Sequence, residues 1–193
     1  MTEPRHPTEL IVNFRDVGES LQKLANAPLF PEGVLYRGGR LKDVREHEEL
    51  LNIPTILNLR AQKNPRIFSA AYLRAPAHDS SEIYNTSEKA TRKWLNKAMN
   101  LILDDEVELP LYAHCTSGKD RTGVFIAAVL LVSGIPEPWI IKEYMLSEGD
   151  VEVSKISRAL EGMQSPSYFR KVDTVKLREK LLHPVMAPPR EPS

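Results

Sequence analysis

His114-Cys115-Thr116-Ser117-Gly118-Lys119-Asp120-Arg121-Thr122-Gly123 is the stretch on which the reading of this chain turns. Pro110-Leu111-Tyr112-Ala113 before it reads as a central strand entered after a proline. Lys119 to Ser133 reads as a strongly apolar helix, stopped by Gly134 and Pro136. The only cysteine therefore stands at a strand end, with five residues between it and Arg121. The first N–H groups of a helix have no partner within it, and the helix dipole is positive at that end. A loop placed there is an anion site, and Arg121 adds a planar fork that grips two phosphate oxygens. The same field favours thiolate over thiol. A thiolate beneath a bound phosphorus is set for in-line attack, which predicts covalent catalysis through a phosphocysteine. Singly, each residue has a plainer reading: a buried core cysteine, a surface ion pair for Arg121, ordinary turns for the glycines. Those readings do not account for Cys, Gly, Arg, Thr and Gly in that order at one strand-to-helix junction.

Outward from the junction, short apolar stretches alternate with helical patterns. Val34-Leu35-Tyr36 reads as a short strand, followed by a turn at Arg37-Gly38-Gly39-Arg40. Asp43 is placed to cap a helix from Val44 to Leu51, with Val44, His47, Leu50 and Leu51 on one face. Thr55 to Leu59, behind Pro54, reads as a buried strand, and Ala71 to Ala75 as a weaker one ending before Pro76. Thr86 to about Leu103 is helical, with Asn85 as cap three residues before Glu88 and a core stripe of Ala90, Trp94, Ala98, Leu101 and Ile102. Two further helices are expected near Glu137 to Ser147 and Pro166 to Leu182, the second with Ser165 as cap and Pro166 in first position. This alternation predicts an α/β fold with a central, mainly parallel sheet flanked by helices. Ligands in such sheets bind beyond the carboxyl ends of the strands, where Cys115 stands.

A chain of 193 residues suits one domain, expected over residues 10–182. It lies between a flexible N-terminus (1–9) and a flexible tail (183–193) with four prolines in eleven residues. Lys plus Arg and Asp plus Glu both number 26, so the chain carries no net charge and is a poor general binder of nucleic acid or membrane surface. One cysteine excludes an internal disulfide framework and zinc sites built from several thiolates, so no metal is expected. The first ten residues are polar, unlike a signal peptide. The longest uninterrupted apolar run, Val124 to Val132, has nine residues, against the roughly 20 of a spanning helix. The expectation is a soluble, cytoplasmic monomer without a membrane span.

The junction resembles the HCxxGxxRTG signature of the protein tyrosine phosphatase superfamily, and with Lys119 and Asp120 it is similar to the HCxxGKDRTG loop of the atypical bacterial and fungal members. Asn13-Phe14-Arg15-Asp16-Val17-Gly18 resembles that group's NFRDxG element. Leu35-Tyr36-Arg37-Gly38-Gly39-Arg40-Leu41 resembles its YRS-type segment, with Gly38 where Ser is usual, and Glu143-Tyr144-Met145-Leu146-Ser147 resembles its EYLLS segment. The match spans about Val12 to Ser147. It implies the cysteine-phosphatase type of fold and a protein-tyrosine phosphatase with dual or phosphoinositide specificity, needing no cofactor. The substrate it implies is a phosphoprotein or a phosphoinositide. Asn58-Leu59-Arg60 departs from the group's Asp-Leu-Arg, and an amide cannot donate a proton as a carboxylic acid does.

By this resemblance Cys115 is the nucleophile and Arg121 the transition-state clamp. Backbone amides from Thr116 through Ser117, Gly118, Lys119 and Asp120 to Arg121 cradle the phosphoryl oxygens, and Thr122 hydrogen-bonds the thiolate. His114 either holds the loop through its ring or is a satisfied core histidine. Asp79, after Ala75-Pro76-Ala77-His78, takes the general-acid role at the position of the group's mobile acid loop, against the plainer reading of a solvated loop aspartate. Asp120 competes, but beside Arg121 it suits orienting the arginine or a water. Lys119 is a binding group for anionic headgroups or a solvated lysine, and Arg37, Arg40, Lys42 and Arg45 read as a solvated basic face. Two other functions remain open: a phosphate-binding pseudophosphatase in which Asn58 replaced an acid, and a sulfur transferase or arsenate reductase. Arg121-Thr122-Gly123 and the lack of a second cysteine speak against the last two.

Overall fold

The computed structural model describes residues 4–77 and 81–185. In chain order its elements are α1 (Pro7–Leu10), β1 (Arg15–Asp16), α2 (Val17–Ala25), β2 (Leu35–Gly38), β3 (Thr55–Asn58), β4 (Ala71–Arg74), α3 (Lys89–Ile102), β5 (Leu111–His114), α4 (Asp120–Val132), α5 (Glu137–Met145), α6 (Val153–Met163) and α7 (Thr174–Leu182), with 3-10 turns at Glu48–Leu50 and Ser81–Tyr84. The strands form one sheet in the order β1-β2-β5-β3-β4. β1 runs antiparallel to β2, and the other pairs are parallel. Gly38 and Asn58 both pair with His114, so β2, β5 and β3 end level and Cys115 emerges between them.

Alternation along β5 explains how one strand serves two cores. Leu111 and Ala113 join Leu35 and Leu57 in the larger core with residues of α2 through α7. Tyr112 joins Ile56, Ile11, Phe14, Leu41, Val44, Leu50 and Ile53 in a smaller cluster on the other face. Helix α4 is buried from Arg121 through Leu130, which is why its sequence is apolar on every side. Among the described residues no helix is long and apolar enough to cross a membrane. The expected α/β layering, with a mainly parallel sheet, is the architecture found.

Three local expectations fail, each for a tertiary reason. The helix expected over Val44 to Leu51 is only the turn at Glu48–Leu50. Buried Glu49 turns its carboxylate back onto the N–H groups of Arg45 (2.7 Å) and Glu46 (3.3 Å) and onto Arg5 Nε (3.1 Å), bonds that replace a helical ladder. α3 begins at Lys89, not Thr86, because Thr86 is buried against α6: its hydroxyl donates to Ala159 O (2.6 Å) and its carbonyl accepts from Tyr168 OH (2.7 Å). The helix expected from Pro166 is a set of turns whose carbonyls are taken by α3: Arg92 Nε on Tyr168 O (2.9 Å), Arg92 Nη2 on Ser167 O and Asn100 Nδ2 on Lys171 O (2.9 Å). α7 starts at Thr174 behind Asp173, which accepts from Lys176 N (3.0 Å). α6 was not expected, although Ile156, Ala159, Leu160 and Met163 follow helical spacing and are buried. The expected tail lies, from residue 186 onward, outside the described residues.

Gly162 of α6 is where that helix meets the segment before α3. A Cβ there would lie 2.2 Å from Thr86 Oγ1 and 2.8 Å from Ser87 N. Gly162→Ala is expected to destabilise the protein by about 1–3 kcal/mol through overpacking, read as a lower urea midpoint at unchanged m-value.

Candidate active site

The loop from Cys115 to Arg121 is shaped from behind. Cys115 O faces His114 Nδ1 (3.1 Å), Thr116 O accepts from Arg40 N (3.1 Å), Ser117 O from Asn13 Nδ2 (2.8 Å) and Gly118 O from Arg37 Nη2 (2.8 Å). In a trans peptide the C=O and the next N–H point in opposite directions. Four successive carbonyls turned into the scaffold therefore turn the N–H groups of Thr116, Ser117, Gly118 and Lys119 the other way, as an oxyanion cradle requires. Gly118 has φ +71°, and a Cβ on it would lie 2.3 Å from Gly38 C and 2.7 Å from Gly39 N. The loop rests directly on the backbone of the β2 turn, so only glycine fits.

The three elements flanking the signature converge on this support. Glu143, on α5, is buried between two guanidiniums: Arg37 Nη1 lies 2.6 Å from Oε2 and Arg15 Nε 2.8 Å from Oε1. Arg15 Nη2 also reaches Glu143 O (2.9 Å) and Ser147 Oγ (3.0 Å). Burial pushes the Glu143 carboxyl up, but Arg37 and Arg15 outweigh it and hold it below the usual glutamate range. Burial lowers Arg37 to about 10, with Arg15 adding to the fall and Glu143 opposing it. Arg37 is fully buried, which corrects the expectation of a solvated basic face; Arg40, Lys42 and Arg45 are exposed. Asn13, at φ 60°, donates to Ser117 O and accepts from Glu148 N (2.7 Å), and Asp16 caps α2 through Gly18 N (2.8 Å).

The expected site residues gather at this one place, apart from Asp79, which lies outside the described residues. Cys115 is 2 % exposed. Arg121 is buried, with Nη2 on Thr116 Oγ1 (3.1 Å). Thr122 is fully buried, and its hydroxyl has no hydrogen-bond partner among the described residues; the bond to Cys115 Sγ is not formed. Lys119 stands partly exposed at the rim, its Nζ 3.8 Å from Asp120 Oδ2. Buried His114 accepts from Asn64 Nδ2 at Nε2 (3.0 Å), so Nδ1 carries the proton given to Cys115 O. Burial lowers its pKa to about 4, with the charges of Arg60 and Arg121 contributing, so the ring is neutral at pH 7.

Two tyrosines escaped the sequence reading. Tyr84 OH donates to Asp120 Oδ1 (2.7 Å) and lies 2.7 Å from Tyr144 OH, which must then donate to it. Burial, then Tyr144 and Asp120, push the Tyr84 phenol far up, so it remains a donor. No spacing rule links residues 84, 120 and 144; Tyr144 was visible only as part of a matched motif.

The tyrosine phosphatase family model matches residues 6–187. The chain belongs to the tyrosine phosphatase family. Among curated proteins none matches it in sequence. Its fold is similar to that of the core catalytic domain of the PP-IP phosphatase Siw14 from S. cerevisiae, solved with citrate: 18% identity over 68% of this chain and 83% of that one, TM-score 0.51. A second structure of the Siw14 catalytic core gives 17% identity, coverage of 79% and 94%, and TM-score 0.55. DUSP15 gives 18% identity, coverage of 77% and 93%, and TM-score 0.51. Membership makes this a cysteine-type phosphatase of the tyrosine and dual-specificity kind.

The departure from this family's Asp-Leu-Arg has a structural explanation. Asn58 is fully buried; its Nδ2 donates to Gln62 O (2.9 Å) and Tyr72 OH (2.6 Å), and its Oδ1 accepts from Arg60 N (2.8 Å). It organises the loop after β3.

The neutral ring of His114 has a consequence for pH stability. Between about pH 6.5 and 4 the unfolded chain binds a proton there that the folded one refuses, so stability falls as pH falls through that window. The expected loss is about 3 kcal/mol. Urea titrations at pH 7 and pH 4.5 on wild type and His114→Gln check this. The variant should lose stability less steeply on acidification; parallel losses would mean His114 titrates as in the unfolded chain.

Proposed function

We propose that this phosphatase cleaves phosphomonoesters through a phosphocysteine on Cys115. The observation that carries the reading is the set of four loop carbonyls turned into the scaffold, which aims the amides of residues 116–119 and the start of α4 at one point beside the chain's only cysteine. Cys115 Sγ attacks phosphorus, and the bond from phosphorus to the leaving oxygen breaks. The loop amides and Arg121 hold the equatorial oxygens as charge builds. The Thr122 hydroxyl, buried without an acceptor, turns to the thiolate when sulfur carries charge, and again when water displaces it from phosphorus.

Asp79 gives the leaving oxygen its proton. Asp120 is the weaker candidate because it is engaged as an acceptor: Tyr84 OH donates to Oδ1, and the Lys119 ammonium lies near Oδ2. It positions Arg121 and water. Phosphotyrosine in a protein is the first substrate class, on the ground of family, and the enzyme works as a monomer. The Lys119 ammonium at the rim supports additional use of strongly anionic phosphoesters, phosphoinositides among them. The alternative, a pseudophosphatase, rests on Asn58 as a lost acid; the loop-organising bonds of that buried amide give it a structural role that supports the active reading.

Cys115→Ser should abolish turnover of 4-nitrophenyl phosphate yet still bind inorganic phosphate; steady hydrolysis above trace would sink the covalent route. Arg121→Lys should lose most activity, since an ammonium cannot make the two-point grip. Asp79→Asn should slow esters with poor leaving groups by about 10²–10⁴ and activated aryl esters far less, while Asp120→Asn slows both alike. Leaving-group dependence in Asp120→Asn with a silent Asp79→Asn would reverse the two roles.

A further inference from the structure

Between Leu50 and His78 the chain has no Asp or Glu and four cations, Arg60, Lys63, Arg66 and Arg74, in a protein whose charges otherwise balance. None of the four forms an ion pair among the described residues. Arg66 Nη1 and Arg74 Nη2 find backbone carbonyls, Val44 O (3.3 Å) and Ala61 O (2.6 Å). Arg60 and Arg74 are both half-buried, each with its Nε shut off from solvent without an acceptor. Arg60 differs in that its side chain makes no hydrogen bond or ion pair at all among the described residues. Partly desolvating a guanidinium is costly unless an anion or acceptors meet it.

Its position gives that charge a use. Asn58 pairs with His114, and Leu59 N donates to His114 O (2.9 Å), so Arg60 leaves β3 at the level where Thr116 leaves β5. Arg60 N is pinned by Asn58 Oδ1, and Asn58 itself is locked by Gln62 O and Tyr72 OH, so the start of the loop is rigid. Arg60 and Arg121 act electrostatically on the same buried ring, His114. Arg121 has Thr116 Oγ1 beside it on the β5 side, and Arg60 stands at the matching level on the β3 side, with Arg74 bonded to the next residue of its loop.

We propose that Arg60 binds a second phosphate of the substrate, next to the one Cys115 attacks, and so makes the enzyme prefer substrates with two phosphates close together. The inference rests on the phosphomonoesterase reading above for the first phosphate. A guanidinium fork suits a phosphate dianion better than a neutral acceptor, and Arg74 and Lys63 add to the field without ion-pair partners of their own.

The test compares two matched pairs: phenyl phosphate with benzene-1,2-diyl bisphosphate, and a phosphotyrosine peptide with the same peptide carrying a phosphoserine alongside. The quantity is the ratio of kcat/KM, doubly over singly phosphorylated, in wild type, Arg60→Gln and Arg60→Lys. Wild type should show a ratio of about ten or more, residing in KM, the worth of one charge-assisted hydrogen bond. Arg60→Gln should bring it to about one, and Arg60→Lys should restore part of it, as a point charge would. A preference in the ring pair alone identifies a small polyphosphorylated substrate, and one in the peptide pair alone a doubly phosphorylated protein; both support the proposal. Equal values in both pairs, or a preference that Arg60→Gln leaves intact, overturn it. Should Arg60→Gln not fold, Arg60→Lys and equilibrium titration of Cys115→Ser with the four compounds decide the matter. Cys115-dependent turnover without preference defeats the second-phosphate site and leaves the phosphatase reading standing. Selective binding without any turnover does the reverse.

Discussion

The rest of the structure depends on a carboxylate that does not meet water. Glu143 has 1 % of its side chain exposed and holds Arg37, which is fully buried, and Arg15, which is nearly so. Removing three charges from water costs several kcal/mol per ion before any attraction is counted, so the cluster is a poor source of stability in itself. What it supplies is position. Arg37 uses Nη1 on Glu143 and Nη2 on Gly118 O, and thereby transmits the placement of α5 to the middle of the loop. Two guanidiniums against one carboxylate also leave a net positive charge beneath the anion site.

That excess belongs with the other protonation states around the loop. His114 is neutral, and Tyr84 and Tyr112, both pushed up by burial, keep their protons. Glu143 is ionised but doubly matched. Arg37, Arg121 and the positive end of the α4 dipole therefore supply the positive charge around the loop. Uncharged groups meanwhile do the shaping: Asn13, the Arg40 amide and the His114 ring each fix one carbonyl.

Much of this was legible in the sequence, for reasons particular to each part. The strand before Cys115 and the helix after Arg121 declare themselves because both are buried all round, and continuous apolar runs survive any tertiary context. The loop was legible because its chemistry requires those residue types in order. Arg37 was misread because burial of an arginine depends on Glu143, 106 residues away, which no local pattern reveals. Tyr84 and Asp120 meet for the same non-local reason. The failed helix at Val44 to Leu51 and the failed start at Pro166 share another cause. Side chains from elsewhere, Arg5 in one case and those of α3 in the other, meet groups that a local pattern assigns to helix. α6 is different: its spacing was present in the sequence and simply unread.

Adjacent residues of α5 tie these observations together. Glu143 fixes the loop at Gly118 through Arg37, and Tyr144 reaches its far end at Asp120 through Tyr84. Tyr144 can come so close because residue 123 is glycine; a Cβ there would lie 2.7 Å from its ring. The same α5 packs against α4, whose first turn completes the cradle. A shift of α5 relative to α4 would thus move the middle of the loop, its carboxylate and the helix N-terminus together. The loop cannot relax by itself when phosphate charge changes during reaction, because both of its anchors lie in the core. Preorganisation here comes from one helix–helix contact that holds the loop, its carboxylate and the start of α4 in a common frame.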